Sequence, residues 1–322
     1  MMHEAIAGFA KQFAWEPKVE RPTKKKFKRV IVAGMGGSHL AADLLKSVHR
    51  EIHMNIHRDY GLPFIAPSER SDTLVIASSY SGNTEETIDA FKEAGKKGVA
   101  RAAIAIGGKL EKVARAARVP YVQMPDTGIQ PRSALGFSIK GLAALMELSS
   151  FTMELSRLAK TLKPAAKEAR GKTLARTLKG TIPMVYASTM NEAVAYNWKI
   201  KCNETGKIPA FYNVIPELNH NEMTGFDHTL KSAGLSKKFT VLFLADDDDN
   251  PRVQKRMAIL IKLYRSRGLQ CVTVPLKGDG RWMKIFSSLV LADWIAYYTA
   301  LSYGAEPEQV PMVEEFKEMI AR

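Results

Sequence analysis

One device repeats along this chain and limits what it can become: an apolar run, a turn of small residues, then residues at helical spacing. Val30–Ala33 leads through Gly34, Met35, Gly36, Gly37 and Ser38 into Leu40–Val48. Leu74–Ala77 leads through Ser78, Ser79, Tyr80, Ser81, Gly82, Asn83 and Thr84 into a helix carrying Ile88 and Phe91. Ala102–Ile106 ends at Gly107 and Gly108 before a helix near Lys112–Ala117, and Tyr121–Gln123 is a further short strand. The pattern resumes with Met184–Ala187 before Glu192–Cys202, Val241–Leu244 before Arg252–Arg267, and Val272–Val274 before Met283–Leu301. Such alternation predicts an α/β fold with doubly wound parallel sheets flanked by helices. Ligands of these sheets sit beyond the carboxyl ends of the strands. The hydroxyl-rich turns after Ala33 and after Ala77 both fall at such ends.

Between the two halves, Pro131–Gly136 opens a helix expected to run to about Leu158. Residues 159–180 then change in composition, with Lys160, Lys163, Lys167, Arg170, Lys172, Arg176 and Lys179 set among Ala and Leu. This reads as a basic linker or connecting helix, so the expected domains are 1–158 and 159–322. A formal net charge of +14 allows nucleic acid, an anionic membrane surface or anionic small molecules as partners. The cations are mostly scattered, and no helix-turn-helix, zinc-finger or RNP-type pattern accompanies them, so no nucleic-acid partner is expected. The apolar segment Leu289–Tyr303 contains Asp293 and reads as a buried helix rather than a membrane span. Two distant cysteines, Cys202 and Cys271, give no disulfide framework and fit a reducing compartment. With no signal-peptide pattern at the N-terminus, a cytoplasmic location is expected.

The turn from Ser78 to Thr84 carries more hydroxyls than a helix start requires. A helix N-terminus leaves backbone N–H groups unpaired and carries partial positive charge. One Ser or Thr suffices as a cap. Ser79, Ser81 and Thr84 around Gly82 instead suggest a cradle for a phosphate monoester. Gly34-Met35-Gly36-Gly37-Ser38 has the G-x-G spacing of a dinucleotide site, but His39 stands where the third glycine belongs, and Asp59 gives that reading only weak support. A turn in which Gly36 and Gly37 let the backbone approach a ligand that Ser38 contacts fits better.

These two segments together resemble the sugar-isomerase (SIS) domain. With Pro131-Arg132-Ser133-Ala134-Leu135-Gly136, Asn203-Glu204 and the segment around His220, nearly the whole chain is similar to the bifunctional phosphoglucose/phosphomannose isomerase family. The resemblance implies two SIS domains, a homodimer with shared active sites, and aldose–ketose isomerisation of hexose 6-phosphates through a cis-enediol, with no cofactor and no metal. Other SIS proteins supply the alternatives: a different sugar-phosphate isomerase, or a non-catalytic sugar-phosphate-binding regulator.

The candidate residues can be weighed singly. Glu204 is expected near a helix end marked by Gly206, where the helix dipole disfavours an ionised carboxylate. That tuning suits a base, though sequence alone leaves a surface glutamate between Lys201 and Lys207 equally open. The resemblance implies that Glu204 is the proton-transferring base. Arg132 is either an exposed helix-start arginine or a fixed charge beside a developing enediolate, and the resemblance implies the second. His220 suits proton movement between O1 and O5 during ring opening, and the resemblance implies that it reaches in from a partner subunit. A metal set of His220, Glu222 and His228 lacks recognised spacing. Lys317 is the candidate for the family's C-terminal ring-opening lysine, against a plain i,i+3 partner for Glu314. Glu306-Pro307-Glu308 departs from the Asp-Pro-Thr often found in that loop. Ser38, Ser79, Ser81, Thr84 and Gly37 are the expected phosphate contacts. Asp246–Asp249 reads as a solvated cap before Pro251.

Overall fold

In the computed structural model, which describes residues 2–227 and 231–320, the chain forms two units. One is Gly8–Leu162; the other joins Met1–Ala7 to Lys163–Arg322. The sequence expectation drew the boundary after residue 158 and counted residues 1–7 with the first half.

The Gly8–Leu162 unit is built on a six-stranded sheet: β1 (Val19–Glu20), β2 (Arg29–Ala33), β3 (His53–His57), β4 (Thr73–Ser78), β5 (Ala100–Ala105) and β6 (Tyr121–Gln123). Their order is β1-β6-β5-β4-β2-β3, parallel throughout except for β1, which pairs antiparallel with β6. Every residue of β4 is buried, as its unbroken apolar run requires of a central parallel strand covered on both faces. Ala33 is in register with Ala77, and Ser78 with Ile104. The strands therefore end level, and the turns that follow β2, β4 and β5 lie side by side. Beneath them Ile88, Phe91, Leu110 and Tyr121 form a core, each large apolar side chain contributing about 1.5–3 kcal/mol by its removal from water.

The second unit carries a four-stranded parallel sheet of β7 (Ile182–Ser188), β8 (Phe211–Ile215), β9 (Phe239–Ala245) and β10 (Gln270–Pro275), ordered β10-β9-β7-β8. The helix Arg281–Ser302 is long and apolar enough to cross a membrane, yet most of it is buried inside this unit, with Trp294 fully covered. Of the basic stretch 159–180, residues 168–178 form a helix, Glu168–Leu178, lying along Arg281–Ser302, while Lys160 belongs to the helix Ser149–Thr161. Gly171 permits the approach, since a Cβ there would fall 2.3 Å from Trp294 Cβ.

One helix differs from expectation. The helix foreseen from Pro131 to Leu158 is a 3-10 turn, Pro131–Ser133, followed by two helices, Leu135–Leu145 and Ser149–Thr161. The break is closed by N–H bonds from Glu147 to the Ala144 carbonyl and from Leu148 to the Ala143 carbonyl, with Glu147 in the left-handed region at φ 56°. The N-terminal segment forms two short helices on either side of Gly8, Met2–Ala7 and the 3-10 helix Phe9–Ala14.

Candidate active site

The phosphate-cradle segment follows β4 directly. Ser79 is fully buried, and its Oγ accepts the N–H of Gly82 at 3.1 Å and lies 2.8 Å from Thr84 Oγ1. Thr84 occupies the N-cap position of the helix Glu85–Lys96, but its side chain makes no cap bond to that helix among the described residues. Ser81, at the tip, is exposed, and its Oγ accepts the N–H of Asn83 at 3.2 Å. Gly82 adopts φ +70°, and a Cβ there would fall 1.8 Å from the Gly107 carbonyl oxygen. Only glycine lets this turn sit against the start of the next helix, Gly108–Ala116. Asn83 Oδ1 completes the junction by accepting the Lys109 N–H at 3.1 Å. Sequence reasoning gave Asn83 no role, although an Asn beside a left-handed glycine is an ordinary turn signal.

The preceding turn is tied to this one. Ser38 is buried; its Oγ accepts the Tyr80 N–H at 2.8 Å, and its carbonyl accepts the Ser78 hydroxyl at 2.7 Å. A Cβ on Gly37 would fall 2.8 Å from the Arg132 nitrogen, so this glycine brings the Pro131–Ser133 turn close against the Gly36–Ser38 turn. Gly37, Ser38, Ser79, Ser81, Thr84 and Arg132 thus belong to adjoining turns of one unit. Arg132 is only 1 % exposed. An exposed helix-start arginine is thereby ruled out. In the turn after β4, burial pushes the Tyr80 hydroxyl up to about 12. His39, in the third-glycine position, is buried with its Nδ1 2.6 Å from Asp43 Oδ2.

In the second unit Glu204 is the last residue of the helix Glu192–Glu204 and is half-buried. The chain turns sharply after it: the N–H groups of Thr205 and Gly206 both bond the Lys201 carbonyl at 3.0 Å. Gly206 stops the helix by close approach, since a Cβ on it would lie 2.6 Å from the Cys202 carbonyl oxygen. The left-handed residue is Lys207, at φ 57°, which the sequence did not indicate. Lys207 Nζ donates to the Glu204 carbonyl at 2.6 Å and to the Gln309 carbonyl, so the loop before the final helix is fastened to the end of the Glu204 helix.

His220 is exposed on the 3-10 turn Glu217–His220. Glu222 anchors its loop: it accepts the Tyr186 hydroxyl, and Asn213 Nδ2 at 2.5 Å. Those bonds engage the carboxylate that a metal set with His220 would need, and His228 lies outside the described residues. Lys317 is on the final helix Pro311–Ile320, exposed and 2.8 Å from Glu314 Oε1, which is the i,i+3 pairing weighed above.

Asp246–Asp249 is not a uniformly solvated cap. Asp246 and Asp249 are buried. Asp246 accepts Arg281 Nη1 and Lys284 Nζ, each at 2.7 Å, and Asp249 accepts the Ser188 hydroxyl at 2.5 Å. Only Asp247 and Asp248 reach solvent, and the helix cap is Asn250, whose side chain accepts the Arg252 N–H. The sequence showed the acidic run but not the two cations, which lie on the helix beginning at Arg281.

Comparison with known proteins agrees with this architecture. The model of the bacterial phospho-glucose isomerase C-terminal SIS domain matches residues 167–320. Glucosamine-6-phosphate deaminase from Thermotoga maritima has a similar fold, with a TM-score of 0.71, 17 % identity and 96 % of each chain covered. The bifunctional phosphoglucose/phosphomannose isomerase of Caldicellulosiruptor bescii is 34 % identical, covering 91 % of this chain and 89 % of its own. That of Aquifex aeolicus is 32 % identical over 100 % of this chain and 98 % of its own. At such identity along essentially the whole length, this chain belongs to the bifunctional phosphoglucose/phosphomannose isomerase family.

Proposed function

We propose that the protein interconverts glucose 6-phosphate and mannose 6-phosphate with fructose 6-phosphate through a cis-enediol. The observation that carries this reading is end-to-end similarity to curated bifunctional isomerases, together with the hydroxyl-lined turn after β4. The 6-phosphate docks at the turns bearing Gly37, Ser38, Ser79, Ser81 and Thr84, facing the head of the helix Glu85–Lys96, where N–H donors and the dipole favour an anion. Ser81 and Thr84 touch it directly, while buried Ser79 holds the turn in shape.

His220 and Lys317 open the pyranose by moving a proton between O1 and O5. Glu204 then removes the proton from C2 and returns it to C1, so that one carboxylate serves both carbons. Arg132 stabilises the negative charge that develops on the enediolate oxygens; its burial supports this, because a guanidinium out of water acts more strongly on a nearby anion. The protein acts as a cytoplasmic homodimer in which His220 serves the partner's active site; its exposure supports that role.

Supplying glucose 6-phosphate, mannose 6-phosphate and arabinose 5-phosphate side by side tests the reading. Fructose 6-phosphate is expected from the first two and no ketose from the third. Turnover of the pentose phosphate alone would assign the chain to another SIS isomerase, and binding without turnover of any of the three would make it a sugar-phosphate-binding regulator.

A further inference from the structure

The segment that carries Glu204 is fastened by a buried ion pair which the proposed chemistry does not use. Lys201 stands three residues before Glu204, and its Nζ lies 2.5 Å from Asp293 Oδ1 on the helix Arg281–Ser302. Both side chains are almost wholly covered, at 1 % and 4 % exposure. One turn earlier, Trp198 Nε1 donates to Ser288 Oγ at 2.9 Å, so the same face of the Glu204 helix is tied twice to the same neighbour. The backbone of Lys201 has a second duty: its carbonyl receives the N–H groups of Thr205 and Gly206, the two residues after Glu204. One residue therefore anchors the last helical turn through its side chain and the reversal after Glu204 through its carbonyl.

Such a pair is not an economical way to hold two helices together. Charges removed from water lose solvation that their attraction rarely repays in full, and apolar residues of similar size often stabilise as well or better. Around Asp293 the helix is otherwise apolar, with Leu289, Val290, Leu291, Ala292, Trp294 and Ile295 all buried. What an ion pair supplies and apolar contact does not is direction. It fixes the rotation and the axial position of the helix end to within hydrogen-bond tolerance.

We propose that Lys201 and Asp293 are positioning residues for the base, holding the Glu204 carboxylate at the height from which it reaches both C1 and C2. This rests on the assignment of Glu204 as base. A proton-transferring carboxylate tolerates little misplacement, and an error of about 1 Å can cost on the order of a hundredfold in rate.

The test is the double variant Lys201→Met with Asp293→Leu, which replaces the pair by apolar residues. A purely structural pair predicts unchanged catalysis wherever the protein remains folded. A positioning pair predicts a thermal midpoint close to wild type, kcat lower by roughly ten- to hundredfold, and KM within about twofold. A folded double variant with wild-type kcat, or a loss carried by KM alone, overturns the proposal. Should the double variant not fold, Asp293→Asn decides: it keeps the shape and removes the charge, and a folded Asp293→Asn protein with wild-type kcat overturns the proposal equally. Wild type and Glu204→Gln are run alongside. A wild type inactive on every hexose 6-phosphate defeats the isomerase reading itself. An active wild type, an inactive Glu204→Gln and fully active pair variants defeat the positioning role alone.

Discussion

Thr84 Oγ1 lies 2.8 Å from Ser79 Oγ, a contact that turns the hydroxyl at the head of the helix Glu85–Lys96 toward the preceding turn rather than onto the helix. An ordinary N-cap threonine accepts an N–H from the first turn. Among the described residues the Thr84 side chain makes no such bond, which would leave that accepting role to an anion at the proposed phosphate site. Ser79→Ala with Thr84→Ala is therefore expected to raise KM for hexose 6-phosphates by about ten- to hundredfold, the worth of the Thr84 hydrogen bond to a charged group together with the turn that Ser79 holds in shape. At saturating substrate kcat should change much less. Steady-state kinetics checks this, and an unchanged KM would refute the cradle.

Gly82→Ala tests the shape of the turn rather than its chemistry. The added Cβ meets the Gly107 carbonyl oxygen at 1.8 Å in a backbone conformation that only glycine adopts readily. A loss of roughly 2 kcal/mol or more is expected from clash and strain together. Thermal unfolding measures it, and a midpoint equal to wild type would mean that the two turns separate without cost.

Arg132→Lys separates charge from geometry. Lysine keeps the positive charge but lacks the planar fork. A fall in kcat on the order of a hundredfold, with KM little changed, is expected if the guanidinium acts on the enediolate. A variant impaired only in KM would make Arg132 a ground-state binding residue.

His220→Asn should slow turnover of cyclic sugar phosphates while leaving intact the binding of an open-chain aldonate phosphate that mimics the enediolate. Isothermal titration alongside kinetics reads both. Equal losses in the two would show that His220 holds the substrate rather than opening its ring.

The Asp246–Asp249 cluster gives a pH dependence whose sign can be worked out. Burial holds the Asp249 carboxyl above the ordinary carboxylate value, against the pull of the Ser188 hydroxyl. A raised folded-state value contributes stability in full below the unfolded value near 3.8, and this is lost as pH rises through the folded value. At pH 7 the ionised carboxylate is therefore a net cost. Asp249→Asn, which can still accept the Ser188 hydroxyl, is expected to raise the thermal midpoint at pH 7 and to lose that advantage near pH 3. Asp246 behaves oppositely: burial pushes its value up, but the bond from Lys284 and its other partners outweigh this and leave it lowered. Its stabilisation is present above 3.8 and is lost as pH falls below that value. Midpoints measured from pH 3 to 8 for Asp249→Asn and Asp246→Asn check the two signs.

The fold was legible wherever local pattern and tertiary context agreed. Leu40–Val48 and Tyr121–Gln123 have the bounds expected from sequence: the apolar residues of the helix face the core at helical period, and Tyr121 and Val122 are buried in the sheet. The break at Glu147 was not legible, since no glycine or proline marks it and a glutamate takes the left-handed position. The burial of Asp246 was hidden for a different reason. Its partners Arg281 and Lys284 lie more than thirty residues away, and an acidic run before a proline reads locally as a solvated cap. In the candidate site, the hydroxyl turn was marked by residue type and spacing, whereas Glu204 was singled out only by the family resemblance, its local sequence leaving a surface glutamate equally open. The fully covered side chain of Arg132 and the Lys201–Asp293 pair depend on what folds over them, which no local window contains.

The central claim, that Glu204 carries the proton between C2 and C1, is tested most directly by Glu204→Gln. Conversion of glucose 6-phosphate to fructose 6-phosphate is measured beside binding of the same sugar phosphate by titration calorimetry. The account predicts turnover lowered by at least about a thousandfold with the dissociation constant nearly unchanged, since the amide preserves shape and cannot accept the proton. Turnover retained at near wild-type rate by a variant that binds normally would contradict it.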